Sequence, residues 1–175
     1  MNEVIKAIIE RRSFRKFKSD MPDKKTIDEI INAGLYAASG MGKQNSIIVA
    51  VTNKDIIAKL AKINAKIAGW GEDFDPFYGA PVILIVLDDK NWFTRVYDGS
   101  LVIGNMMLAA DSMGLASCWI HRAKEEFEMD EYKQLLKSLG IEGEWEGIGH
   151  CAIGYPDMAK PSVPPRKENR VYYIN

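Results

Sequence analysis

Isoleucine and valine recur at helical spacing near the start of the chain, where Val4, Ile5, Ile8 and Ile9 share one face and predict an amphipathic first helix. A second helix is predicted over about residues 24–37, after the turn at Met21, Pro22 and Asp23, with Ile27, Ile30, Ile31 and Leu35 facing inward. The period then shortens. Residues 46–52 (SIIVAVT) read as a buried strand, 55–68 as a helix with Ile56, Leu60, Ile63 and Ile67 on one side, and 81–87 as a second buried strand. Strands this apolar need cover on both faces. Residues 98–113 make a long, nearly all-apolar helix ended by Gly114, a composition suited to burial on most sides, including against a second subunit. A third strand at 116–120, a polar helix through Tyr132 to Leu139 and a fourth strand at 147–153 complete an alternation that predicts a three-layer α/β fold.

From Gly154 the character changes. Tyr155, Pro156, Pro161, Pro164 and Pro165 precede Arg170, Val171, Tyr172, Tyr173 and Ile174. Residues 155–175 are expected to form an extended C-terminal arm rather than a second domain, because the prolines disfavour helix. The final alternation would suit an edge strand in this subunit or a neighbouring one.

With 175 residues and 47% hydrophobic content, the chain suffices for one sizeable core and is short for two, so 1–175 reads as a single domain. A net charge of −1 gives no global field for nucleic acid or an anionic membrane, and basic residues must act locally. The chain opens on a charged amphipathic segment, and its longest apolar run, 80–87, falls well short of the roughly 20 residues that span a bilayer. A soluble, cytoplasmic protein is expected. Cys118 and Cys151 form no CxxC, which implies neither a zinc knuckle nor a disulfide framework.

The candidate chemistry begins with Arg11, Arg12, Ser13, Phe14 and Arg15. Three guanidinium forks beside a hydroxyl suit a phosphate, although a solvated basic patch at a helix end has the same composition. Arg166 and Lys167 form a second basic pair in the arm. Gly40, Met41, Gly42 and Lys43 imitate the end of a Walker A loop, but Ala37 and Gln44 replace its first glycine and its hydroxyl, and a helix precedes it where a strand is needed. Gly147, Gly149 and Gly154 lack the GxGxxG spacing of a dinucleotide fold. Two histidines without neighbouring ligands argue against a metal site. Ser39 lacks a GxSxG elbow, and Cys118 and His150 lie in apolar strand patterns, which favours packing over a nucleophile and base. A chain rich in phosphate donors and poor in acids, bases and nucleophiles points to a cofactor as the source of chemistry, and specifically to a flavin.

Four stretches resemble the nitroreductase family of FMN-dependent oxidoreductases, in order through almost the whole chain. Residues 8–17 (IIERRSFRKF) are similar to its opening Arg-x-Ser-x-Arg/Lys signature, and 33–53 (AGLYAASGMGKQNSIIVAVTN) to its helix, turn and first strand. Residues 98–122 (DGSLVIGNMMLAADSMGLASCWIHR) resemble the central helix and the strand beneath the flavin, and 150–174 (HCAIGYPDMAKPSVPPRKENRVYYI) the last core strand and basic tail. The resemblance implies an α+β three-layer sandwich with a central mixed sheet, in an intertwined homodimer with FMN at the interface. It implies Arg11 at the phosphate, Arg12 and Ser13 near the ribityl and phosphate oxygens, and Arg15 beside flavin N1 and O2, where reduction places negative charge. Ser39, Gly40 and Gln44 match the turn that reaches the partner's FMN. Trp119, Ile120, His121 and Arg122 match the segment along the isoalloxazine ring, with the His121 backbone N–H near N5. Arg166 and Lys167 match the tail cations on the phosphate.

The resemblance also has departures. Gly42 stands where many members have Asn, Asn45 and Ser46 replace a common Pro-Trp pair, and Glu72 or Asp75 lie where some members contact the pyrimidine edge. The implied activity is ping-pong transfer of hydride from NADH or NADPH to a nitroaromatic, quinone or enone acceptor. A non-catalytic protein that stores or senses FMN is the second reading, and a structural dimer with surface arginines the third.

Overall fold

The computed structural model of the protein describes residues 1–71 and 73–175. Its sheet has the strands β1 (Ile47–Val51), β2 (Val82–Asp89), β3 (Ala116–Ile120) and β4 (Trp145–Gly154) in the order β1-β2-β4-β3. All three neighbouring pairs are antiparallel. The sheet is mixed only in that Ser13, outside these strands, makes one parallel bridge to Ser117 at the β3 edge.

Alternation on β2 shows why three layers form. Ile83, Ile85 and Leu87 face one cluster with Phe14, Phe17, Leu60, Phe77 and Ile120, whereas Val82, Leu84 and Val86 face another with Ile30, Ile103 and Met106. Successive strand residues point to opposite faces, so an uninterrupted apolar strand must be covered twice. One cover comes from α3 (Lys54–Ile67), α5 (Ala123–Phe127) and α6 (Asp130–Ser138), the other from α2 (Lys24–Leu35) and α4 (Arg95–Ser112). Each fully buried large side chain contributes about 1.5–3 kcal/mol, which makes this double cover the main source of stability.

Caps set the helix starts. Asp23 Oδ1 accepts from Thr26 N at 2.9 Å ahead of α2, and Asn53 Oδ1 from Asp55 N at 3.0 Å ahead of α3. The central helix begins earlier than its apolar run, at Arg95, because Asp98 N continues the ladder to Thr94 O at 2.9 Å. Helix α5 was not legible as apolar periodicity in a stretch of five residues. Leu35 and Ile56, which periodicity turns inward, are exposed, and on α3 the polar Asn64 is buried instead. The face of α1 (Glu3–Glu10) that carries Val4, Ile5, Ile8 and Ile9 is also exposed in the single chain. Residues 170–174 join no strand of this chain.

Gly147 is required by contact. A Cβ there would lie 2.2 Å from the carbonyl oxygen of Ala123, the first residue of α5, next to a register shift between Val86 and Leu87. Gly147→Ala is expected to cost about 1–3 kcal/mol by overpacking, measured by urea denaturation, because backbone rather than a flexible side chain must yield. An unchanged midpoint would contradict this packing.

Candidate functional site

Arg11 ends α1, its N–H donating to Ala7 O at 2.8 Å, and the chain then runs beside β3. Phe14 N donates to Ser117 O at 3.0 Å, and Phe14 and Phe17 are buried in the sheet's core, so the intervening Arg15 and Lys16 stay at the surface. On that strand burial pushes the Cys118 thiol up, and Arg15, the Ser13 hydroxyl and Arg11 oppose the shift. Arg12 folds back, donating from Nη1 to Ile9 O at 2.8 Å and to Arg11 O, and from Nε to Ser162 O at 3.2 Å on the arm. Its Nη2 is buried without a partner among the described residues. No ion pair among them involves Arg11, Arg12, Arg15 or Arg122. Cations without carboxylate partners and an orphaned buried N–H fit a phosphate, since such a donor costs free energy until an acceptor reaches it.

At the far end of β3, Trp119 is half-buried, Ile120 buried and His121 exposed. Arg122 turns the chain with a left-handed backbone, φ 77° and ψ 9°, a region where residues other than glycine are held only by their surroundings. Its Nε donates to Asn64 Oδ1 at 2.9 Å, and its guanidinium carbon stands 4.4 Å from the centre of the Trp70 ring.

Ser39, Gly40 and Gln44 sit elsewhere. Gly40 N donates to Asp98 Oδ1 at 3.0 Å, and Gln44 N to Ser39 Oγ at 3.0 Å, so the turn is pinned to the start of α4. It leads into β1, and β1 and β3 are opposite edges of the sheet, about 14 Å apart at three strand spacings. Under the same turn Ser46 Oγ donates to the buried Asp88, whose other carboxylate oxygen has no partner among the described residues. Burial pushes the Asp88 carboxyl up, against the Ser46 hydrogen bond. A raised value means that the folded protein holds the proton more tightly than the unfolded chain, so this group lowers stability as pH rises from the ordinary carboxylate range through its own. Asp88→Asn is expected to melt higher than the wild type at neutral pH and to lose that advantage under acid; an equal shift at both pH values would contradict it.

The model of the nitroreductase family matches residues 8–69 and 70–155. The chain belongs to the nitroreductase family. A nitroreductase from Bacteroides fragilis NCTC 9343, whose crystal structure has bound FMN, is 28% identical, covers 100% of both chains and superposes with a TM-score of 0.90. An NADPH-flavin oxidoreductase from Vibrio harveyi is 30% identical over 176 residues, 95% of this chain and 70% of that protein. A relative from Methanothermobacter thermautotrophicus is 28% identical over 129 residues, 67% of this chain and 60% of that protein.

Within this member of the family the first basic cluster and residues 119–122 lie along one strand, while Ser39, Gly40 and Gln44 lie at the opposite edge. Arg166 and Lys167 are exposed on the arm beyond Ser162, and Arg166 donates to Pro164 O at 2.9 Å. Glu72 lies outside the described residues. Asp75 uses both carboxylate oxygens on its own turn, accepting from Phe77 N at 2.8 Å and Gly79 N at 2.7 Å. Cys118 and Cys151 belong to opposite faces of the sheet, which rules out their pairing. His150 does not meet Cys118 as a base, because its ring nitrogens face Ile120 O and Glu126. Sequence reasoning missed Asn64 and Glu126; a polar residue at an inward position of α3 was the available signal.

Proposed function

We propose that this nitroreductase-family protein is an FMN-dependent oxidoreductase that takes hydride from NADH or NADPH by a ping-pong mechanism and reduces a small nitroaromatic, quinone or enone acceptor. The observation that carries the reading is the set of guanidiniums of Arg11, Arg12 and Arg15, without a carboxylate partner among the described residues, beside the strand that leads into residues 119–122. FMN supplies the electron-transfer chemistry when bound. Arg11 and Arg12 would hold its phosphate with Ser13, and Arg15 would stabilise negative charge at the pyrimidine edge. Trp119, Ile120, His121 and Arg122 would hold the ring, with the His121 backbone N–H as the donor near N5. The work of these residues is to orient and to tune.

The separation of Ser39, Gly40 and Gln44 from the basic cluster supports a homodimer in which one protomer's turn completes its partner's site. The exposed apolar face of α1 and the arm that carries Arg166 and Lys167 are consistent surfaces for that contact. Among the described residues no helix is long and apolar enough to cross a membrane.

Arg15→Ala is expected to lower the reduction potential of bound FMN more than it loosens binding, read by equilibration with a reference dye; an unaltered potential would remove Arg15 from the pyrimidine edge. The function itself is tested by steady-state kinetics with NADPH and a quinone. Parallel double-reciprocal lines support ping-pong transfer. Intersecting lines contradict it, and bound flavin without turnover would favour storage or sensing.

A further inference from the structure

Behind the end of β3 lies a closed polar network that the proposed function does not use. Asn64, Glu126 and His150, from α3, α5 and β4, are each fully buried. Glu126 Oε1 accepts from Asn64 Nδ2 at 2.6 Å, Glu126 Oε2 lies 2.7 Å from His150 Nε2, and His150 Nδ1 lies 3.2 Å from the Ile120 carbonyl. Asn64 Nδ2 also donates to the His121 carbonyl at 2.9 Å, and its Oδ1 accepts from Arg122 Nε. Three consecutive residues are thus gripped by Asn64 of α3 and His150 of β4, which Glu126 of α5 ties together.

Hydrogen-bond polarity fixes the proton count. A carbonyl only accepts, so His150 Nδ1 carries a proton. Two lone pairs cannot face each other at 2.7 Å, so a further proton lies between His150 Nε2 and Glu126 Oε2. The pair is neutral in sum whichever atom holds that proton, which avoids an isolated charge in a buried site covered by the Phe77 ring at 5.3 Å. Every polar atom of Asn64 and Glu126 is engaged, and the engagement ends on the backbone of residues 120 and 121 and the side chain of residue 122.

We infer that Asn64, Glu126 and His150 are positioning residues, which fix the 120–122 backbone and thereby the direction of the peptide N–H groups and the Arg122 guanidinium at the cofactor. This inference rests on the reading of 119–122 as the segment along the flavin ring. The left-handed Arg122 is the conformation that needs such a clamp.

Two substitutions separate positioning from plain packing. Asn64→Leu keeps the branched shape, with bulkier methyl ends, and removes every side-chain hydrogen bond that Asn64 makes. Glu126→Gln keeps the pattern, because the amide oxygen accepts from Asn64 and the amide N–H donates to His150. In flavin-free protein, Asn64→Leu is expected to speed amide hydrogen exchange at residues 121–123 by about tenfold or more while β2 and β4 keep their protection. In flavin-loaded protein it is expected to shift the visible spectrum and the potential, and Glu126→Gln to match the wild type in both. Unchanged local exchange, or changed exchange with an unchanged potential, would overturn the inference. Should Asn64→Leu fail to fold, Asn64→Ser, too short to reach the His121 carbonyl, provides the same readouts. A wild type that binds no FMN would remove the proposed function and, with it, the role toward the cofactor, while the exchange result would still decide whether the clamp exists.

Discussion

Replacing Arg11 by alanine is expected to weaken FMN binding by about 1.5–3 kcal/mol, roughly tenfold to 150-fold in Kd, the range for losing a charge-assisted hydrogen bond. Arg11 is well placed for this effect. It is half-buried at the end of α1, its guanidinium makes one weak contact among the described residues, from Nη1 to Met107 Sδ at 4.0 Å, and it forms no ion pair among them. Its removal therefore breaks little inside the protein, and the loss should fall on the ligand. Titration of flavin-free protein with FMN, followed by fluorescence quenching, measures it. An unchanged Kd would take Arg11 out of the site, whereas an unfolded variant would show that its packing against α4 had been undervalued.

Phe77→Ala is expected to cost about 3–5 kcal/mol of stability, the range for emptying a buried aromatic position. Phe77 has 0% exposure, belongs to the cluster on the α3 side of the sheet, and packs against the His150 ring at 5.3 Å with the planes tilted by 60°. The turn that carries it is fixed by both oxygens of Asp75, which limits how far the backbone can relax into the void. Domains of this kind are stable by about 5–15 kcal/mol, so the variant should unfold at a much lower urea concentration. A loss under about 1 kcal/mol would mean that the neighbours collapse freely into the space.

Local patterns made most elements legible. The apolar run before Asp88 read as a strand covered on both sides, and the turn at Met21, Pro22 and Asp23 marked the start of the second helix, whereas the caps at Asp23 and Asn53 emerge only in the structure. What a pattern cannot state is which partner covers a face. The stripe of α1 reads as a buried face and is exposed in the chain, and Leu35 and Ile56 share that outcome. Sheet order is likewise absent from periodicity, so the mixed sheet implied by resemblance resolves into an antiparallel ladder with one parallel bridge.

The same distinction governs the site. Arg11, Arg12, Ser13 and Arg15 are visible because they are neighbours in the chain. The network of Asn64, Glu126 and His150 is assembled from three distant elements, and each member taken singly looks like a surface or core residue. That Ser39, Gly40 and Gln44 stand across the sheet from the arginines follows only from the strand order. The sequence resemblance assigned that turn to a partner's cofactor, and the topology gives the assignment a physical reason.

In the proposed function this chain holds a flavin that accepts reducing equivalents from a nicotinamide donor. The most direct test is the visible spectrum of the purified, FMN-reconstituted protein under anaerobic addition of NADH and then NADPH. The expected result is flavin absorbance near the protein's stoichiometry that bleaches rapidly with at least one donor. Flavin that stays oxidised with both, or protein that takes up no FMN, would contradict it.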